Sequence, residues 1–221
     1  MRSEPYVTRE NIDRIAAEWL AGIAATTRPR PWLRIDPKRC AVIVLDMQRH
    51  FASPAGRAYL PATTAVIPGL AALLGHWRRL GAPVAHTRHC HAGPGDLGML
   101  GRFFTDHIRC GEEDSLIVPE LAPAAGEPVF VKTTYDAFLG TGLEAFLRSA
   151  GAAQVLVTGV LTQLCCDTTA RAAFVRGFEV YIAADATATA SEELHLGSLR
   201  GLASGVAVVT GIASILHAGD A

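Results

Sequence analysis

The 221-residue chain reads as a three-layer, Rossmann-like α/β fold, with a sheet of about six mainly parallel strands and helices on both faces. Three observations predict it. Short, almost wholly apolar runs alternate with longer stretches of helical periodicity, the order that parallel strands and their crossover helices impose. Half of the residues are hydrophobic, enough for one sizeable core at this length. Gly81, Gly151 and Gly177 stand just past the ends of three helical stretches, where a left-handed residue closes a helix.

Taken in order, residues 8–25 suit a helix, with Thr8 as N-cap and Ile12, Ile15, Ala16, Trp19, Leu20 and Ile23 on one face. Arg28-Pro29-Arg30-Pro31 ends it, and Trp32 and Leu33 are expected to dock the chain back onto the body. Residues 1–37 therefore form an N-terminal helical arm, a candidate for packing on a neighbouring subunit, and residues 38–221 the main domain. Strands are expected near 41–46, 83–87, 128–132, 154–159, 179–183 and 206–210, and helices near 62–80, 140–150, 163–177 and 190–203.

A net charge of −1 gives no reason to invoke nucleic acid or an anionic membrane as partner. No apolar run reaches the roughly 20 residues of a membrane span, and the first residues lack the apolar core of a signal peptide. Five cysteines, odd in number and scattered, do not read as a disulfide framework; they fit a reducing compartment, and the cytoplasm is the expected location. The composition suits an enzyme acting on a small molecule.

Chemistry-bearing residues recur at one kind of place. Ala41-Val42-Ile43-Val44-Leu45 ends in Asp46, and Pro128-Val129-Phe130-Val131 ends in Lys132. Each charge sits at the C-terminal end of what reads as a buried parallel strand, the edge at which open α/β sheets bind ligands. Lys132 is one of only two lysines among twenty basic residues, and a compact ammonium suits a place beside a thiolate. Gly159-Val160-Leu161-Thr162-Gln163-Leu164-Cys165-Cys166 reads as strand, turn and helix, which puts Cys165 at a helix start. Unpaired N–H groups there favour a thiolate and can hold an oxyanion. Each residue also has a plain reading: a buried small hydrophobe for Cys165, a salt bridge for Lys132, a loop tether for Asp46.

Together the three blocks resemble the isochorismatase-like cysteine hydrolases, which include nicotinamidases, N-carbamoylsarcosine amidases and ureidoacrylate amidohydrolases. The resemblance covers about residues 38–215. It rests on Val44-Leu45-Asp46-Met47-Gln48 with Phe51, on Lys132-Thr133-Thr134-Tyr135-Asp136-Ala137-Phe138 with Thr141 and Leu143, and on Gly159-Val160-Leu161-Thr162 with Cys165 and Thr169. It implies Asp46, Lys132 and Cys165 as a catalytic triad, and a cis peptide between Val160 and Leu161 that aims the N–H groups of Leu161 and Cys165 into an oxyanion hole. It further suggests Gln48, Phe51, Tyr135 and Thr162 as substrate-binding residues, to which Arg88 is added from its place beside the crevice, with no cofactor and a homo-oligomer, dimer or tetramer. The expected reaction is hydrolysis of a small amide, carbamoyl or ureido compound through a thioester. A vinyl ether hydrolase with Asp46 as proton donor is the alternative; that branch carries glycine where this chain has Cys165. A catalytically retired scaffold is a third reading, opposed by the intact triad.

Some family members bind zinc near the second strand through an Asp-x-His pair and further histidines. Here the segment is His86-Thr87-Arg88-His89-Cys90-His91, with no such pair, so no metal is expected. Arg88 reads either as a clamp for a substrate carboxylate or as a structural salt bridge. Cys166 projects about 100 degrees from Cys165 on a helix and is expected to pack inward. Residues 93–118 form a long loop expected to cover the pocket or meet a partner subunit, with Phe103 and Phe104 as pocket wall or core.

Overall fold

The computed structural model describes residues 3–218, so the outermost positions of both expected segments, 1–2 and 219–221, lie outside the described residues. In chain order the elements are α1 (Ile12–Ala24), β1 (Cys40–Leu45), α2 (Arg49–Ala52), α3 (Thr63–Arg79), β2 (Val84–His89), α4 (Leu100–Phe103), β3 (Val129–Lys132) and α5 (Leu143–Ser149). There follow β4 (Gln154–Val160), a π-helical turn (Thr162–Cys166), α6 (Asp167–Val175), β5 (Glu179–Ala188), α7 (Glu192–Gly205), β6 (Ala207–Thr210) and α8 (Ile212–Ala218).

All six strands join one parallel sheet in the order β3-β2-β1-β4-β5-β6. β1 and β4 are buried at every residue, as central parallel strands covered on both faces must be. From β1 the chain winds outward to β2 and β3, then returns to build β4, β5 and β6 on the other side. The direction of winding reverses between β1 and β4, so a crevice opens at their C-terminal ends. Asp46 directly follows β1, and the turn bearing Cys165 follows β4.

β1 and β4 run in register with Leu45 opposite Gly159, and a Cβ at Gly159 would lie 2.0 Å from the carbonyl oxygen of Leu45. Only glycine permits that approach, and its φ of +99° makes the same demand. Gly81, Gly151 and Gly177 close α3, α5 and α6 with φ of 64°, 69° and 82°.

Several expectations need correction. The 128–132 strand is not buried: β3 is the sheet's edge, and Val129 and Val131 are exposed while Lys132 alone is covered. Thr8 does not cap α1; that helix begins later, after Asn11, whose Oδ1 accepts from the Thr8 N–H. The arm also meets its own chain, where Ala16, Trp19 and Ile23 enter the core and α1 lies against β5 and α7, as docking back onto the body requires. Arg9 of the arm donates to the carbonyl oxygen of Thr64, which Pro68 inside α3 leaves without its usual helical donor. Trp32 does not dock the linker, being 70% exposed. Polar contacts do so instead: Gln154 holds Asp36 N–H and the Arg34 carbonyl, and Arg30 donates to the carbonyls of Ala203 and Ser204. The expected 163–177 helix opens as a π turn, and α8 was not foreseen.

Cysteine pairing is a further correction. Cys90 and Cys110 form a disulfide, bridging 20 positions of sequence, while Cys40, Cys165 and Cys166 are free and buried. An odd count concealed one pair, and the argument from free cysteines to a reducing compartment falls with it. No helix of the described residues is long and apolar enough to cross a membrane.

Candidate active site

Three side chains from three strand ends meet in the crevice. Lys132 stands on β3, two strands away from β1, a lateral gap of about 10 Å that the four-carbon stem of a lysine spans. Its ammonium lies 2.7 Å from Asp46 Oδ2, and it donates to Cys165 Sγ at 3.2 Å and to the Thr134 carbonyl at 2.9 Å. Two of the ammonium protons are taken by these hydrogen bonds, and Asp46 Oδ2, which has no other hydrogen-bond donor, meets the ammonium as an ion pair. Asp46 and Lys132 are essentially without solvent exposure, and Cys165 is nearly so.

Asp46 is the one described residue other than glycine with a positive φ, 52°. That left-handed turn is compatible with a short acidic side chain. Thr87 secures it, the hydroxyl donating to Asp46 Oδ1 at 2.6 Å and accepting from the Asp46 N–H at 3.2 Å.

Burial would raise the Asp46 pKa, but the Lys132 charge, together with hydrogen bonds from Lys132 and Thr87, outweighs it and the carboxyl is held below its ordinary value. Burial also works against the Lys132 ammonium, yet Asp46 and Cys165 raise it above the usual lysine value. The Cys165 thiol is pushed up to about 12, first by burial and then by Asp46, with Lys132 acting in the opposite sense. At rest the trio is therefore carboxylate, ammonium and neutral thiol. The helix start was expected to favour a thiolate, whereas burial and the Asp46 carboxylate outweigh the Lys132 ammonium and keep the proton on sulfur.

Cys165 lies on the π turn that follows the Val160–Leu161 peptide, which is cis. Val160 is fully buried and Leu161 lines the cavity. Cys166 points inward, with Sγ 3.9 Å from the Thr158 carbonyl. Thr169 on α6 ties down the loop after β3, accepting from Ala137 N–H and donating to the Tyr135 carbonyl.

Asp46 and Cys165 line a cavity of about 410 Å³, and Lys132 stands buried behind them. Of the residues expected to bind substrate, Phe51 and Tyr135 line it, and Gln48, Arg88 and Thr162 do not. Gln48 is wholly buried and serves as a splice: its amide accepts from His89 N–H and donates to the carbonyls of His89 and Ser115. Arg88 alternates with His89 along β2, so the imidazole faces the cavity and the guanidinium turns away, 4.0 Å from Cys90 Sγ. Thr162 is buried against His195.

Sequence reasoning missed the segment after Phe51, which supplies Arg57 and Tyr59 to the wall beside His50. The only local signal was the turn around Gly56, where a Cβ would strike the Arg49 carbonyl at 2.1 Å. Arg57 is pinned by Asp106, Glu112 and Asp114. The long loop supplies Leu100, Phe104 and residues 105–108, so it does cover the pocket; Phe103 is 80% exposed and is neither wall nor core. Its root is held by the Cys90–Cys110 bond and the bridge of His91 to Arg109. Cys90 Sγ is consumed in that bond, and burial together with the Lys132 charge lowers His89 to about 4. Among the described residues no cluster of three or more His, Cys, Asp or Glu is arranged to hold a metal ion.

The chain is 40% identical over 189 residues to nicotinamidase 3 of Arabidopsis thaliana, covering 83% of this chain and 91% of that one. It is 34% identical over 178 residues to enterobactin synthase component B of Escherichia coli (strain K12), covering 79% of this chain but 62% of that protein. The crystal structure of a cysteine hydrolase from Pseudomonas syringae pv. phaseolicola 1448A superposes with a TM-score of 0.82 at 27% identity, over 87% of this chain and 99% of that one. The isochorismatase domain model matches residues 40–214, and with these relatives it places the chain in the isochorismatase family of hydrolases.

Proposed function

We propose that the chain is a cysteine amidohydrolase that cleaves a small amide, carbamoyl or ureido substrate through a thioester and releases ammonia or an amine. One observation carries the reading: Lys132 Nζ stands between Asp46 Oδ2 at 2.7 Å and Cys165 Sγ at 3.2 Å, in a buried pocket end. The Asp46 carboxylate takes the thiol proton as the sulfur attacks the carbonyl carbon, and the Lys132 ammonium offsets the charge that passes through the sulfur. The carbonyl oxygen becomes an oxyanion facing the N–H groups of Leu161 and Cys165. Collapse breaks the C–N bond, and protonated Asp46 gives its proton to the departing nitrogen. A water, deprotonated by the same carboxylate, then attacks the thioester, and the proton returns to sulfur as the acid leaves. No step calls for a cofactor.

The second reading, vinyl ether hydrolysis with Asp46 as proton donor, draws support from the likeness to enterobactin synthase component B. It needs a carboxylic acid at rest, and the depressed pKa of Asp46 opposes that. The two readings part on a pair of variants assayed for ammonia release from nicotinamide and a panel of small amides and ureido acids, and for turnover of isochorismate. Amide hydrolysis requires that Cys165→Ala and Asp46→Asn both be inactive and that the unaltered enzyme show a thioester mass on Cys165. Retained turnover of isochorismate by Cys165→Ala installs the vinyl ether reading instead. A homo-oligomer remains part of the proposal, supported by exposed Val129 and Val131 along the sheet edge; light scattering tests it.

A further inference from the structure

Behind the turn that carries Cys165 stands a layer of groups to which hydrolysis assigns no task. α7 presents His195 and Ser198, one helical turn apart, to both ends of it. Thr162 Oγ1 and His195 Nδ1 are 2.9 Å apart. Ser198 Oγ lies 3.2 Å from the Thr162 carbonyl oxygen and 2.7 Å from Asp167 Oδ2. Thr189, just ahead of α7, donates to Gln163 Oε1 at 2.5 Å. One segment thus grips residues 162, 163 and 167 around the nucleophile.

His195 is completely buried, and the N-terminal arm brackets its ring. Trp19 lies 4.7 Å and Tyr6 5.8 Å from the imidazole, centroid to centroid. Trp19 is itself fixed, its indole N–H donating to Glu192 at 2.7 Å, and the Tyr6 hydroxyl accepts from Thr189 N–H at 3.1 Å. Ahead of Tyr6, Glu4 N–H donates to the Ala190 carbonyl, and Ser3 reaches the wall of the cavity. Burial lowers His195 to about 4, so the ring is neutral at ordinary pH. These arm residues lie outside the 40–214 span that the family shares.

We propose that His195 is a positioning residue: through Thr162 it sets the orientation of the turn that carries Cys165, and Tyr6 and Trp19 hold its ring in place. The proposal rests on Cys165 being the nucleophile. Thr162 directly follows the Val160–Leu161 peptide and precedes Cys165 by three residues, so its rotation carries both the Leu161 and Cys165 N–H groups with it. Both groups are buried, so breaking their contact would leave polar atoms away from water unsatisfied, which favours one arrangement of the turn.

The test compares His195→Phe, which keeps a packed ring, His195→Asn, whose amide reaches the Nδ1 position, and Thr162→Val, which removes the hydroxyl from the opposite side. The readouts are the rate of Cys165 alkylation by iodoacetamide, kcat and KM with nicotinamide as probe amide, and the thermal midpoint. His195→Phe and Thr162→Val are expected to lose about tenfold or more in alkylation rate and kcat with KM changed less than about threefold, and His195→Asn to recover to within about threefold. Unaltered rates in both His195→Phe and Thr162→Val overturn the proposal. So does a loss in His195→Asn equal to that in His195→Phe, the mark of simple packing. Should His195→Phe fail to fold, Thr162→Val alone decides. Activity retained by Cys165→Ala defeats the amide-hydrolysis reading separately, and the alkylation rates still report on His195.

Discussion

Thr87 and Asp46 are joined twice: one hydroxyl donates to the carboxylate at 2.6 Å and accepts from the same residue's backbone N–H at 3.2 Å. The first contact lowers the Asp46 pKa, and the second holds the residue in its left-handed turn. Thr87→Val removes both with little change of volume. Because the base must be ionised, a raised Asp46 pKa moves the acid limb of the pH–rate profile to higher pH, and kcat falls by about tenfold. An acid limb that stays in place would show that Asp46 is not the group titrating.

Lys132→Met leaves the Asp46 carboxylate buried without its cation, a change that costs about 3–5 kcal/mol where a buried pair is broken. Denaturant unfolding measures it. Lys132 also lowers the thiol pKa against the opposing effects of burial and Asp46, so its loss sends the onset of Cys165 alkylation to still higher pH. In the unaltered protein, alkylation by iodoacetamide should keep rising above pH 9 rather than level off near neutrality. A plateau near pH 7 would place a standing thiolate in the site and contradict the resting state described above.

Gly159→Ala is expected to be the most damaging small substitution in the sheet. The added methyl would sit 2.0 Å from the Leu45 carbonyl, between strands whose spacing a ladder fixes. A loss of at least ~4 kcal/mol, or failure to accumulate as folded protein, is the expected result in expression and unfolding assays. A stable variant would mean that β1 and β4 separate more readily than their burial suggests.

Opening the Cys90–Cys110 bond, by Cys90→Ser with Cys110→Ser or by a dithiol, frees the root of the loop that walls the cavity. For a closed loop of this size about 3 kcal/mol of stability is at stake. KM is expected to rise more than kcat falls, because the loop contributes walls and none of the trio. Equal kinetics before and after reduction, with the thiols counted to prove it, would assign the bond to stability alone.

The six strands, and Asp46, Lys132 and Cys165 at the ends of three of them, were legible because each is written in contiguous residues: an apolar run, then one polar residue. Gly81, Gly151 and Gly177 were legible for the same reason, since a helix end is a local event. Four things were not. Arg88 and His89 sit side by side in sequence, and only the pleat of β2 decides which faces the cavity. Gln48 looked like a ligand-binding amide, yet its partners, His89 and Ser115, lie 41 and 67 residues away. The covalent partner of Cys90 is on the far side of a loop, and counting thiols does not reveal pairing. Lys132 was read on a buried strand because valines and phenylalanine fill that run; strand order, which hydropathy does not encode, put it at the edge.

That edge has a consequence for motion. Asp46 and Cys165 hang from the two innermost strands, the part of an α/β sheet that opens last, whereas the ammonium between them is mounted on four residues paired along one side only. Fraying of β3 therefore disconnects the cation while the carboxylate and the sulfur keep their places. The electrostatic state of the pocket is in this way tied to the local opening free energy of the sheet's outermost strand, and amide exchange at Phe130 and Lys132, whose N–H groups face β2, measures how often the charge is withdrawn.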